Sequence, residues 1–190
     1  MRHVLGLAVV ALAIAVPAHA TDWDVPAAPN RPTMEALHAD IEACRTQGCR
    51  VDGGLTSGGL ASHDVERLAW WVARGNRLAI RLSFAAADIV DSDGARTLAQ
   101  SYGNIIKQDP AAFLAMARDE GAPTPLVAAD AAAIPDTIAD DLAAQARELK
   151  ARRKALQGVT DRSLSALRDQ CVAGITARIA EMAPNTGGVL

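Results

Sequence analysis

Apolar side chains recur at helical spacing throughout the C-terminal third of the chain, and no other feature narrows the possible folds as much. Leu142, Leu149 and Leu156 repeat every seven residues. Beyond Gln157-Gly158-Val159, the residues Leu164, Leu167, Cys171, Ile175, Ile179 and Met182 follow at steps of three and four. Side chains spaced in this way share one face of a helix, because the helix turns once in about 3.6 residues. Two such stripes joined by a glycine turn predict a long αα-hairpin, opened by Pro135 and closed by Pro184. Nowhere do Val and Ile alternate with polar residues for long enough to suggest a strand. Aromatic residues make up only 3% of the chain, so its core must come from helices that approach closely over Ala and Leu. The expected class is all-α.

Several short antiparallel helices are expected ahead of the hairpin. Met34, Leu37, Ile41 and Cys44 form one narrow stripe that ends at Gly48. Ser62 is a suitable N-cap for a second helix with Asp64 and Glu66 in its first turn, closed by Gly75. Asn76 caps a third, expected to run through Leu78, Leu82, Ile89 and Val90. Asp93 is read as the cap of a helix over 95–107. Asp109 and Pro110 then suit the N-cap and N1 positions of another helix, stopped by Gly121. Ala122-Pro123-Thr124-Pro125 breaks the pattern and marks a possible seam over 122–134.

The first twenty residues form a different kind of segment. Met1-Arg2-His3 is a short basic start, the residues from Val4 to Val16 are apolar throughout, and Pro17-Ala18-His19-Ala20 supplies a small-residue cleavage site. As a helix the apolar run rises about 20 Å, too short for a hydrocarbon core of about 30 Å. An export signal cleaved after Ala20 is therefore expected, with residues 21–190 as one periplasmic or secreted domain. The residue after the cut is Thr21 and not Cys, so no thiol is available for lipid attachment. The signal takes one of 19 basic residues and none of 22 acidic ones, leaving 18 against 22 and a net charge of −4. That balance lacks the cation excess that nucleic acid or anionic lipid requires, and no later apolar stretch is long enough to span a membrane.

Motifs that carry chemistry are weak. The stretch Asp52-Gly53-Gly54-Leu55-Thr56-Ser57-Gly58-Gly59 lacks the Lys-Ser/Thr pair of a phosphate loop, and Leu55 stands where a nucleophile elbow needs glycine. Asp91-Ser92-Asp93-Gly94 lacks the remaining ligands of a calcium loop. Once the signal is gone only His38 and His63 remain. His38 with Glu42 reads as an exposed contact one helical turn apart, and His63 beside Asp64 as a solvated side chain. Lys150, Arg152, Arg153 and Lys154 follow Asp136, Asp140 and Asp141 along one helix, an order that suits the helix dipole and predicts a solvated face. No cofactor or metal site is expected.

Two features point toward binding and compartment. Trp70 and Trp71 are adjacent in a helix whose apolar face is set by Val65, Leu68, Ala69 and Val72. Trp71 falls at the edge of that face, and Trp70 points nearly opposite. Trp70 is therefore either covered by a second layer of helices or an exposed anchor for a partner. Cys44 and Cys49 bracket the helix end at Gly48, at the two positions whose side chains meet in a Schellman ending, and are expected to form a disulfide. Cys171 is then a buried odd thiol, the rival being a bridge from Cys171 to Cys44 or Cys49. The leading functional expectation is a non-enzymatic periplasmic interaction protein, acting as an inhibitor, immunity factor or accessory binder of another protein. The alternatives are a binder of a small apolar ligand or lipid, and an enzyme with an unrecognised helical site.

Overall fold

Local capping signals and apolar stripes divide the chain into short helices. In the computed structural model, the described residues are 34–47, 62–87 and 89–182, all within one compact unit that runs from Pro32 to Leu190. The expected signal segment, the glycine loop at 52–59, Cys49 and the side chains of Cys44 and His63 lie outside the described residues. Helix α1 spans Met34–Gln47, α2 Ser62–Ala73, α3 Arg77–Ala86, α4 Ser92–Ser101 and α5 Gly103–Gln108. Helix α6 spans Pro110–Asp119, α7 Thr124–Ala131, α8 Leu142–Gln157 and α9 Ser165–Met182. The fold is all-α, and none of the described helices is long and apolar enough to cross a membrane.

Helix ends follow their local chemistry closely. Asn76 Oδ1 accepts from the Ala79 amide at 3.0 Å, and Asp109 Oδ1 accepts from the Ala112 amide at 3.1 Å ahead of Pro110. Gly75 and Gly121 stop α2 and α6 at φ of 77° and 69°. Each sits in a Schellman ending, with Asn76 donating to Trp71 O and Ala122 donating to Ala117 O. Only glycine takes that conformation without strain.

Four boundaries differ from expectation. Asp91, not Asp93, caps α4: its Oδ1 accepts from Gly94 N at 2.7 Å because the helix starts earlier, at Ser92. The helix expected over 95–107 breaks at Tyr102 into α4 and α5. Helix α3 ends at Ala86, and its buried face centres on Ala79, Ile80, Ser83 and Ala86. Leu78 lies more than a quarter turn from that face and is 44% exposed. The long helix begins at Leu142 under an Asp141 cap, since residues 136–138 form a separate 3₁₀ turn. The stretch over 122–134 contains α7.

The expected hairpin is present: α8 and α9 pack along one another, and α7 lies along α9. Leu149, Leu156, Cys171 and Ile175 are fully buried, and Leu164 and Met182 nearly so. Helix α8 meets the short helices through α5, and α7, which lies along α9, meets them through α4. In the middle of the short helices, both phenylalanines and the sole tyrosine of the chain meet. Tyr102 stacks on Phe84 with centroids 5.0 Å apart, and Phe113 tilts against both. Burying all three rings together places half of the six aromatic side chains of this chain in one cluster. The Tyr102 hydroxyl donates to Ser83 Oγ at 2.7 Å, and Ser83 donates onward to Ile80 O, so neither buried hydroxyl is left without a partner.

Candidate functional site

The corner between α2 and α3 contains the residue expected to anchor a partner. Trp71 is buried, with the Arg67 guanidinium 4.7 Å from its ring. Trp70, in the last turn of α2, is half-buried and packs on the rim of the core. The Arg74 guanidinium lies 3.3 Å above the Trp70 ring, and Arg74 Nη1 also donates to Trp70 O at 3.2 Å. This is a cation stacked on an indole face and held by the backbone beneath it. Trp70 therefore fits neither pole of the sequence expectation, being neither sealed by a second layer nor freely exposed. Leu78, the second residue of α3, stands at the same end of the helix pair. It is the large hydrophobic side chain left exposed among the described residues.

A second polar constellation lies in the interior, and it corrects the expected solvated basic face. Lys150 and Lys154 are exposed and Arg153 half-buried, but Arg152 is fully buried. Position 152 lies one turn before Leu156 and one residue past Leu149 plus two, so it falls on the inward side of α8 between these leucines. Its Nε donates to Glu148 Oε1 at 2.9 Å, and its Nη1 donates to Ala133 O at 2.8 Å and Ala131 O at 3.2 Å. Ala131 ends α7, where carbonyls lack intrahelical partners and a cation is favoured. Glu148 Oε2 in turn accepts from Lys107 Nζ on α5 at 2.8 Å. Arg152 Nη2 is buried without a hydrogen bond.

The electrostatics follow from that geometry. Burial lowers the Arg152 pKa, and Glu148 partly offsets it. Burial acts to raise Glu148, but hydrogen bonds and charge from Lys107 and Arg152 together outweigh it, and Glu148 lies below the usual glutamate range. Arg152 Nε and Nη1 donate to one carboxylate and two main-chain carbonyls, which with Lys107 on Glu148 tie α5, α7 and α8 together. The arrangement is a structural clamp.

The remaining sequence candidates do not converge on this clamp. His38 and Glu42 are both exposed on α1, and Thr46 Oγ1 donates to Glu42 O. Asp91 and Asp93 serve the start of α4, with Asp93 3.6 Å from Arg96. Among the described residues, no group of three or more His, Cys, Asp or Glu side chains is placed to hold a metal. Cys171 is buried and unpaired, and its Sγ lies 3.8 Å from Val127 O. Burial first, and the charge of Asp130 second, push its thiol up to about 12. Cys171 is a free thiol here, and its rival partners, Cys49 and the side chain of Cys44, lie outside the described residues. An open groove of about 460 Å³ runs beside the α8–α9 turn, edged by Lys107, Thr160 and Asp161.

Sequence reasoning missed Arg152 and Asp130. The available signal for Arg152 was its place among Leu149 and Leu156, at a spacing that puts it on the buried side. No family profile matches the chain, and neither a curated protein nor a solved structure resembles it at a significant level.

Proposed function

We propose that this chain is an exported α-helical interaction protein that binds another protein through the corner where α2 turns into α3. The observation that carries this reading is the state of Trp70, a half-exposed indole with its face stacked under Arg74 and exposed Leu78 at the same end of the helix pair. Tryptophan and arginine are the residue types richest in interface hot spots, because a rigid aromatic surface and a planar cation lose little entropy on binding. Here the two are already stacked before any partner arrives, which lowers the ordering cost further. The roles that suit such a protein are inhibitor, immunity factor or accessory subunit, without chemistry of its own. Export by the N-terminal signal would place that partner in the periplasm or outside the cell.

The test compares the mature chain with a Trp70→Ala, Leu78→Ser variant as immobilised bait in periplasmic extract, after circular dichroism has shown both to be folded. A protein retained by the native chain and lost from the variant is the expected result. Equal retention of the same proteins by both baits would refute the proposed surface.

A further inference from the structure

Asp130 stands in the last turn of α7 and is only 9% exposed. The helix that carries it is packed tightly on α9: a Cβ on Gly174 would stand 3.0 Å from Ala128 O, and Cys171 Sγ approaches Val127 O. The groups near enough to sense the charge of Asp130 are Cys171, from α9, and Tyr102, from the link between α4 and α5. Both are pushed upward, by burial first and by Asp130 in addition, and both are neutral near pH 7.

Among the described residues, no cation is paired with the carboxyl. From α8, Arg152 turns Nε to Glu148 and Nη1 to Ala131 O and Ala133 O. From α4, Arg96 and Gln100 reach Asp136 instead. Among the described residues, no hydrogen bond reaches the Asp130 carboxyl. An ionised carboxylate in such a place has lost most of its water without gaining a protein donor, and a proton lowers the cost. Burial alone pushes this carboxyl up to about 7.

We propose that the C-terminal turn of α7 is a pH-operated latch, seated against α9 while Asp130 is protonated and released toward water when Asp130 ionises. The chemical step is a simple dissociation, in which the carboxylic O–H gives its proton to bulk water. The anion then needs a hydration shell that the seated turn denies it. Arg152 holds the carbonyls of Ala131 and Ala133 just beyond, so release either breaks those two bonds or pivots on them. Both routes expose the backbone of residues 127–133.

Hydrogen exchange on the full mature chain, read by mass spectrometry from about pH 5 to about pH 9 and corrected for the intrinsic rate, tests the latch. Protection over 127–133 should fall about tenfold per pH unit between the ordinary aspartate value of about 4 and the midpoint near 7 and level off above it, while the α8 segment keeps its protection. In Asp130→Asn, which keeps the shape but cannot ionise, that local pH dependence should vanish. Identical pH profiles in the two proteins would overturn the proposal. Should the variant fail to fold, the carbon-13 titration of the native Asp130 carboxyl decides: a midpoint near 7 supports the latch, and one near the ordinary aspartate value of about 4 rejects it.

Discussion

The guanidinium of Arg152 on α8 rests on Gly103, the first residue of α5, with Cζ only 3.0 Å from where a Cβ would stand and Nη2 closer still. Glu148 Oε1 is also 3.0 Å from that point. An arginine tip can usually swing aside, but this one is fully buried and held by hydrogen bonds from both Nε and Nη1. Gly103→Ala should therefore overpack the clamp and destabilise the protein by about 1–3 kcal/mol, despite the better helix propensity of alanine. Urea denaturation of the two proteins measures this directly. A gain in stability would show that Arg152 moves freely.

Removing the guanidinium itself should depend on what replaces it. Arg152→Ala leaves a cavity and strips a donor from Ala131 O and Ala133 O, and should cost about 3–5 kcal/mol. Arg152→Met fills most of the same volume without a buried charge, and Glu148 keeps Lys107 as its partner. The methionine variant should be the more stable of the two by at least about 1 kcal/mol. Equal losses from both substitutions would mean that the main-chain hydrogen bonds, not the packing, carry the clamp.

Asp130 and Glu148 should act on stability in opposite directions as pH changes. The folded pKa of Asp130, about 7, lies above the unfolded value, so its stabilising contribution is complete below about pH 4 and is lost as pH rises through 7. Glu148 is lowered on folding, so its contribution holds above the ordinary glutamate value and is lost as pH falls through its folded pKa. Unfolding free energies for the native chain minus those for Asp130→Asn should thus fall by on the order of 3 kcal/mol between about pH 4 and about pH 8. A difference that stays flat across that window removes Asp130 as its source.

Trp70→Ala should cost less than the loss of a core tryptophan and more than a surface change. Half-burial and the stacked Arg74 place the expected loss at about 1–2 kcal/mol, against about 3–5 for a fully buried ring. Thermal or urea denaturation of the isolated variant checks this. A loss in the core range would move Trp70 from the binding surface into the fold.

With Cys171 free, Cys44 and Cys49 are the one intrachain pair left to the three cysteines of the sequence. Non-reducing tryptic mapping of exported protein should find the two peptides separated at Arg45 joined by a disulfide, with Cys171 alkylated only after unfolding. The same spectra should begin the chain at Thr21. An intact Met1 would remove both the export reading and the oxidising compartment that the bridge needs.

Features that depend on neighbours three or four residues apart could be read from the sequence alone. The caps at Asn76 and Asp109, the glycine stops at Gly75 and Gly121, and the stripes of α8 and α9 are of this kind, because the groups that satisfy one another lie within one turn. Even there, a shift of two residues moved the α4 cap from Asp93 to Asp91. What tertiary structure alone decided lies between residues distant in the chain. Phe84, Tyr102 and Phe113 meet across three helical segments, Arg152 reaches back to Ala131 and Ala133, and the charge of Asp130 acts on Tyr102 and Cys171. Helical period places Arg152 on the inner side of α8, but whether a charge there is solvated or sealed depends on how closely α5 and α7 approach. That approach is made possible by Gly103 on α5, which has no side chain to hold Arg152 off, a packing relation between helices that no local pattern encodes.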